Sequence, residues 1–153
     1  MRISAKADYA VRAAIELAQA HGGDRPRKGD AISQAQGIPL KFLENILADM
    51  RHAGLVTSRR GAEGGYWLAR PADEITVADI IRAVEGPLAD VRGVRPESLD
   101  YAEGLEALQR MWVALRASLR GVLEHVTLAD LRDGTLPASV EELADDPAAW
   151  AVH

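Results

Sequence analysis

Tyr101, Leu105, Leu108, Trp112, Leu115, Leu119, Val122 and Val126 recur at alternating spacings of four and three. This is the a/d seam of a coiled coil. It predicts one helix of about 25 residues, roughly 38 Å long at 1.5 Å per residue. Met111 and Leu123 widen the stripe beyond a strict seam. Two copies paired across a two-fold axis would bury it. The alternative is a long helix lying on its own domain. Gly121 weakens the helix interior by about 1 kcal/mol and marks a close crossing.

The chain ahead of this rod reads as a different object. Ser4 is placed to cap a helix running to Ala20, with Ala7, Ala10, Val11, Ala14, Ile15 and Ala18 at helical spacing. His21-Gly22-Gly23 is expected to stop it. A short helix follows at Asp30–Gln36 with Ala31, Ile32 and Ala35 on one side. Gly37-Ile38-Pro39 turns into another helix, whose buried stripe is Leu43, Ile46, Leu47 and Met50. Two helices joined by a tight glycine-containing turn make a helix-turn-helix. Gly54 closes the second of them. Strands at Leu55–Arg60 and Tyr66–Ala69, joined by Gly61–Gly65, form a hairpin behind it, a wing. Thr76 and Asp79 have capping-box spacing ahead of a helix ending at Gly86-Pro87. Pro87–Asp100 reads as a connection. Thr127 and Asp130 open a short helix that Gly134 ends. The expected organisation is mainly α with a small β-hairpin. Residues 1–86 form a winged helix-turn-helix, 87–134 a linker and dimerisation helices, and 135–153 an acidic, loosely held tail.

Charge separates the same two halves. Residues 1–70 carry 11 Lys+Arg against 7 Asp+Glu, and residues 71–153 carry 7 against 16. The net charge of −5 therefore hides a basic first half suited to nucleic acid. The helix after the turn presents Lys41, Glu44 and Asn45. Lysine donates to guanine O6 and N7, glutamate accepts from cytosine N4, and asparagine pairs bidentately with adenine in the major groove. Arg59 and Arg60 at the wing suit a minor groove or phosphates. Lys28 and Arg51 suit phosphates, which fix register without reading sequence. Gly64 and Gly65 leave the wing without bulk for close backbone approach.

Other classes find little support. The chain has no cysteine, which removes disulfides, thiolate zinc and cysteine nucleophiles. His21, His52, His125 and His153 fall in no metal-protease or triad spacing. The longest uncharged stretch, Ala31–Leu40, is ten residues, far short of the roughly 20 apolar residues that span a membrane. Met1–Lys6 lacks the apolar run of a signal peptide, so a soluble cytoplasmic protein is expected. No enzyme, cofactor or metal is expected. A second reading is a sensor whose acidic C-terminal half binds a small-molecule or protein effector, with Trp112 lining its pocket.

The motifs resemble the Rrf2 family of bacterial winged-helix repressors (IscR-, NsrR- and CymR-like). The matching strings are Met1-Arg2-Ile3-Ser4, Tyr9-Ala10-Val11-Arg12-Ala13, Gly37-Ile38-Pro39 and Phe42-Leu43-Glu44-Asn45-Ile46-Leu47. They continue in Ser58-Arg59-Arg60-Gly61, Gly64-Gly65-Tyr66 and Ile80-Ile81-Arg82-Ala83-Val84-Glu85-Gly86. The resemblance spans about residues 1–134. It implies homodimers joined through the long helix on two-fold symmetric operators in double-stranded DNA. It also implies base or backbone contacts from Lys41, Glu44, Asn45 and Arg60. Arg2 at the N-terminus is a further candidate DNA contact. Many relatives hold an Fe–S cluster on three cysteines between the fourth helix and the long one, where Pro87–Glu103 has none. Asp8 matches a position that supplies an oxygen ligand in some of them. A carboxylate without thiolates does not hold a cluster, so Asp8 is expected to be structural.

Overall fold

Small residues decide how the first helix packs. The computed structural model describes residues 2–20 and 25–152. Helix α1 spans Ala5–Gln19, and the Ser4 side chain accepts from the Ala7 N–H. Its buried face is Ala7, Ala10, Ala13, Ala14, Leu17 and Ala18, a thin strip against which other helices approach closely. The expected stop at His21–Gly23 lies outside the described residues. Helix α2 is Gly29–Gln36 and α3 is Leu40–His52. Of α2 only Ile32 is fully buried, and Ala35, expected on the inner side, is exposed.

The turn between α2 and α3 is closed by its own atoms. Gly37 sits at φ 62°, Ile38 N–H donates to Ser33 O at 3.0 Å, and Ser33 Oγ donates to Ile38 O at 2.6 Å. At the far end of α3, Gly54 adopts φ 75°. Gly54 N–H then donates to Arg51 O and Leu55 N–H to Met50 O, the Schellman pair of bonds. Leu43, Ile46, Leu47 and Met50 are fully buried as the spacing predicts.

Strands β1 (Val56–Arg59) and β2 (Gly65–Leu68) pair antiparallel with Val56 opposite Leu68 and Arg59 opposite Gly65. The first is shorter than the pattern suggests, and the second has the expected length but starts one residue earlier. Helix α4 spans Val77–Glu85 behind a complete capping box of Thr76 and Asp79. Lys6 draws α1, α3 and α4 together, donating to Val84 O at 2.8 Å and pairing with Asp49 at 2.9 Å.

The rod is shorter than its periodicity. Helix α5 spans Glu106–Leu123, 18 residues, or about 27 Å. Tyr101 and Leu105 precede it. Gly104 at φ 91° turns the chain there, and Tyr101 lies under the Arg92 guanidinium. Val126 follows it and belongs to its own chain's core, 5% exposed in a cluster with Val77 and Val140. Main-chain bonds hold that return. Val77 N–H donates to Val126 O and Leu128 N–H to Ile75 O, both at 2.9 Å. Helix α6 (Leu128–Asp133) is capped by Thr127 and Asp130 and ends at Gly134, φ 72°. In the tail, α7 spans Ala138–Asp145 and buries Val140.

Glu124 joins the two halves. Its carboxylate accepts from Arg120 at 2.9 Å and from Arg82 of α4. Arg120 and then Arg82 hold its pKa down at about 2. A carboxylate lowered in the folded state stabilises it above the unfolded pKa, and the gain is lost as pH falls through the folded one. Stability should therefore decline from about pH 4.3 towards pH 2. Glu124→Gln should flatten that acid limb in denaturation followed by circular dichroism; a limb of unchanged slope would exclude this tie as its source.

Candidate nucleic-acid interface

One face of α3 is spent on the core, which leaves Lys41, Glu44 and Asn45 exposed together on the other. Two apolar neighbours share the outer surface. Leu40 and Phe42 are 42% and 40% exposed, and Phe42 stands edge-on to Tyr9 with ring centroids 5.7 Å apart. Arg51, in the last turn of α3, donates to Ser58 Oγ of β1 at 3.2 Å and so ties the helix to the wing. Arg59 lies over the Trp67 ring at 5.6 Å, within cation–π range. Arg60 is exposed where the hairpin turns. Lys28 stands at the start of α2, also exposed.

Gly64 and Gly65 do not lie at the exposed tip of the wing. Gly64 is buried, and a Cβ there would lie 2.2 Å from Arg59 O. Gly65 has φ 146°, and its Cβ would lie 2.7 Å from Arg27 O. Both glycines serve close approach within the chain. The exposed tip is instead Gly61, Ala62 and Glu63. Arg2 lines a groove with Ile3, Ile81, Glu85, Leu119 and Leu123, a set that includes no residue of α3 or the wing.

Ion pairing divides the cations within both halves. In the second half Arg82, Arg116, Arg120 and Arg132 are paired with a carboxylate, while Arg92, Arg95 and Arg110 have no such partner among the described residues; in the first half Lys6, Arg12, Arg27 and Arg70 are paired. Around α3 and the wing, Arg25, Lys28, Lys41, Arg51, Arg59 and Arg60 have no carboxylate partner among the described residues.

A buried hub beneath this surface escapes a reading of the sequence. Glu16 is 9% exposed; it accepts from Arg27 and from Gln36, both at 2.8 Å. Arg27 touches the wing and Gln36 ends α2, so one carboxylate sets both against α1. Helical periodicity alone puts Glu16 beside the buried Leu17, with nothing to reveal partners 11 and 20 residues away. Asp8 pairs with Arg12 at 3.3 Å, a local helix-surface pair.

A family model for Rrf2, described as an iron-dependent transcriptional regulator, matches residues 3–134. The chain belongs to the Rrf2 family. An HTH-type transcriptional regulator of Mycobacterium tuberculosis, itself named provisionally, is 53% identical over 146 residues, covering 95% of this chain and 90% of that one. The Bacillus subtilis regulator CymR is 38% identical over 135 residues, with 88% and 92% covered. The solved structure of B. subtilis CymR superposes with a TM-score of 0.74 at 36% identity, over 88% of this chain and 98% of that one. That of T. potens IscR gives 0.68 at 35%, over 100% and 93%. This Rrf2 protein is thus a winged-helix, DNA-binding transcriptional regulator and not an enzyme. Among the described residues no helix is long and apolar enough to cross a membrane.

The residues of this Rrf2 member do not fit an iron–sulfur cluster. It has no cysteine, and among the described residues no three His, Cys, Asp or Glu gather to hold a metal. Two of the connection's carboxylates, Asp90 and Glu97, are otherwise engaged. Asp90 accepts from the Gly93 N–H at 2.8 Å, and Glu97 accepts from Arg116 through both oxygens at 2.6 Å.

Proposed function

We propose that this Rrf2 regulator is a cluster-free homodimeric repressor that grips a two-fold symmetric operator. The carrying observation is the set of cations around α3 and the wing that lack carboxylate partners. Carboxylate-paired arginines are already neutralised; those without partners are available to phosphates and displace counterions there. In this reading Lys41, Glu44 and Asn45 face base edges in the major groove, while Arg51, Arg59, Arg60 and Lys28 fix the register. The acidic second half keeps DNA to one side.

The α5 stripe supports pairing. No residue of α5 is fully buried within the chain. One flank is used internally: Gln109 donates to Leu99 O at 2.8 Å, Arg116 meets Glu97, and Leu123 packs near Val77 and Val126. Leu108, Trp112, Leu115, Leu119 and Val122 are half-buried, and Met111 on the open flank is 49% exposed. A second copy would cover the stripe from the Met111 side. The paired recognition helices would then enter successive major grooves, about 34–36 Å apart.

The test is selection of bound duplexes from a random pool, followed by genome-wide site mapping. A palindromic motif upstream of genes whose transcripts rise on deletion of the regulator is the expected result. A folded protein that enriches no motif would end the proposal. Asn45→Ala should shift preference at one base position by about 1–3 kcal/mol; an identical motif from wild type and variant would remove Asn45 from the readout.

A further inference from the structure

The wing has a third edge. Arg27 and Tyr66 form an antiparallel bridge, with Arg27 N–H donating to Tyr66 O at 3.1 Å and Tyr66 N–H to Arg27 O at 2.8 Å. The segment before α2 therefore lies alongside β2. Gly65 permits it, because a Cβ there would also meet Pro26 Cβ at 2.9 Å. Arg27 itself is consumed internally by Glu16. Its neighbours Arg25 and Lys28 are exposed, and neither pairs with a carboxylate among the described residues. They flank a notch of about 230 Å³ lined by Arg25, Pro26, Lys28, Ala62, Glu63 and Gly64.

We propose that Arg25 and Lys28, set on this third edge of the wing, bind backbone phosphates of duplex DNA and form a contact separate from Arg59 and Arg60. The proposal rests on the DNA-binding reading above, in which Lys28 already faces phosphate, and adds Arg25 and the notch that the two cations share. Two cations hold one small concave surface, and main-chain bonds fix it to the hairpin. Phosphate binding at such a place anchors the wing without reading bases. Glu63 puts one like charge on the opposite wall, so the notch admits a phosphate from the Arg25–Lys28 side and repels it from the tip.

The experiment measures affinity for a short random-sequence duplex across a salt series, using the full chain. Each lost phosphate contact lowers the slope of log K against log salt by about 0.9. Arg25→Ala/Lys28→Ala should therefore lose up to about 3.6 from the slope across two heads, with selected base preference unchanged. Glu63→Gln should bind the same duplex more tightly. Both substitutions are on exposed positions, and circular dichroism verifies the fold of each. If wild type itself shows no salt-dependent binding, the DNA reading falls. If wild type binds and the double variant keeps the full slope, only the third-edge site is refuted.

Discussion

Met111→Glu together with Leu115→Glu yields a folded monomer whose operator affinity is lower by about 10²- to 10⁴-fold. The magnitude is that of losing a linked second site, since one head no longer holds its twin at high effective concentration. Met111 is 49% exposed in the single chain and belongs to neither buried core cluster, so its replacement alone disturbs little internal packing. Leu115 is half-buried beside Trp112, Ala89 and Val91, so the double change also adds a charge to the stripe's centre. Leu115→Glu/Leu119→Glu is expected to act the same way. Sedimentation reports the assembly state and circular dichroism the fold. Dimers that persist in Met111→Glu/Leu115→Glu at micromolar concentration would place the interface elsewhere.

Gly64→Ala disables the wing while sparing the helical core. The added Cβ would stand 2.2 Å from Arg59 O and 2.8 Å from the Arg60 carbonyl carbon. Backbone cannot yield as a side-chain tip does, so the hairpin must open. Overpacking of this kind costs about 1–3 kcal/mol. The loss falls on Arg59 and Arg60 directly, because their own main chain is what moves. Salt-dependent affinity for DNA should drop, and the denaturation midpoint should shift by the stability loss alone. Undiminished DNA affinity in the Gly64→Ala variant would show that the wing arginines are not used.

The helix-turn-helix is legible in the sequence because its signals are local. Gly37 and Gly54 fall where left-handed backbone is needed, and Leu43, Ile46, Leu47 and Met50 keep helical spacing. The capping boxes at Thr76 and Thr127 are readable for the same reason. The rod's periodicity overstates its length. A heptad pattern reports which residues are apolar, and Val126 satisfies it while packing against Val77 and Val140. Tyr101 keeps the period but lies ahead of Gly104, where the chain turns. Gly64 and Gly65 stand out in the sequence, but their neighbour is not the one it suggests. A glycine signals that something comes close; the fold makes it Arg59 and Arg27 of the same chain. Glu16 and Arg27 depend on contacts far apart in sequence, which no periodicity encodes.

The return of the chain at Val126, stitched by backbone to Ile75 and Val77, has a mechanical consequence. The rod is riveted to its own head at the root of α4, so tilting one on the other breaks main-chain bonds. In the proposed dimer the compliant coordinate would then lie between protomers. A stimulus acting on the rods would retune the reach between two rigid bodies, and so the operator spacing they accept, without bending either one.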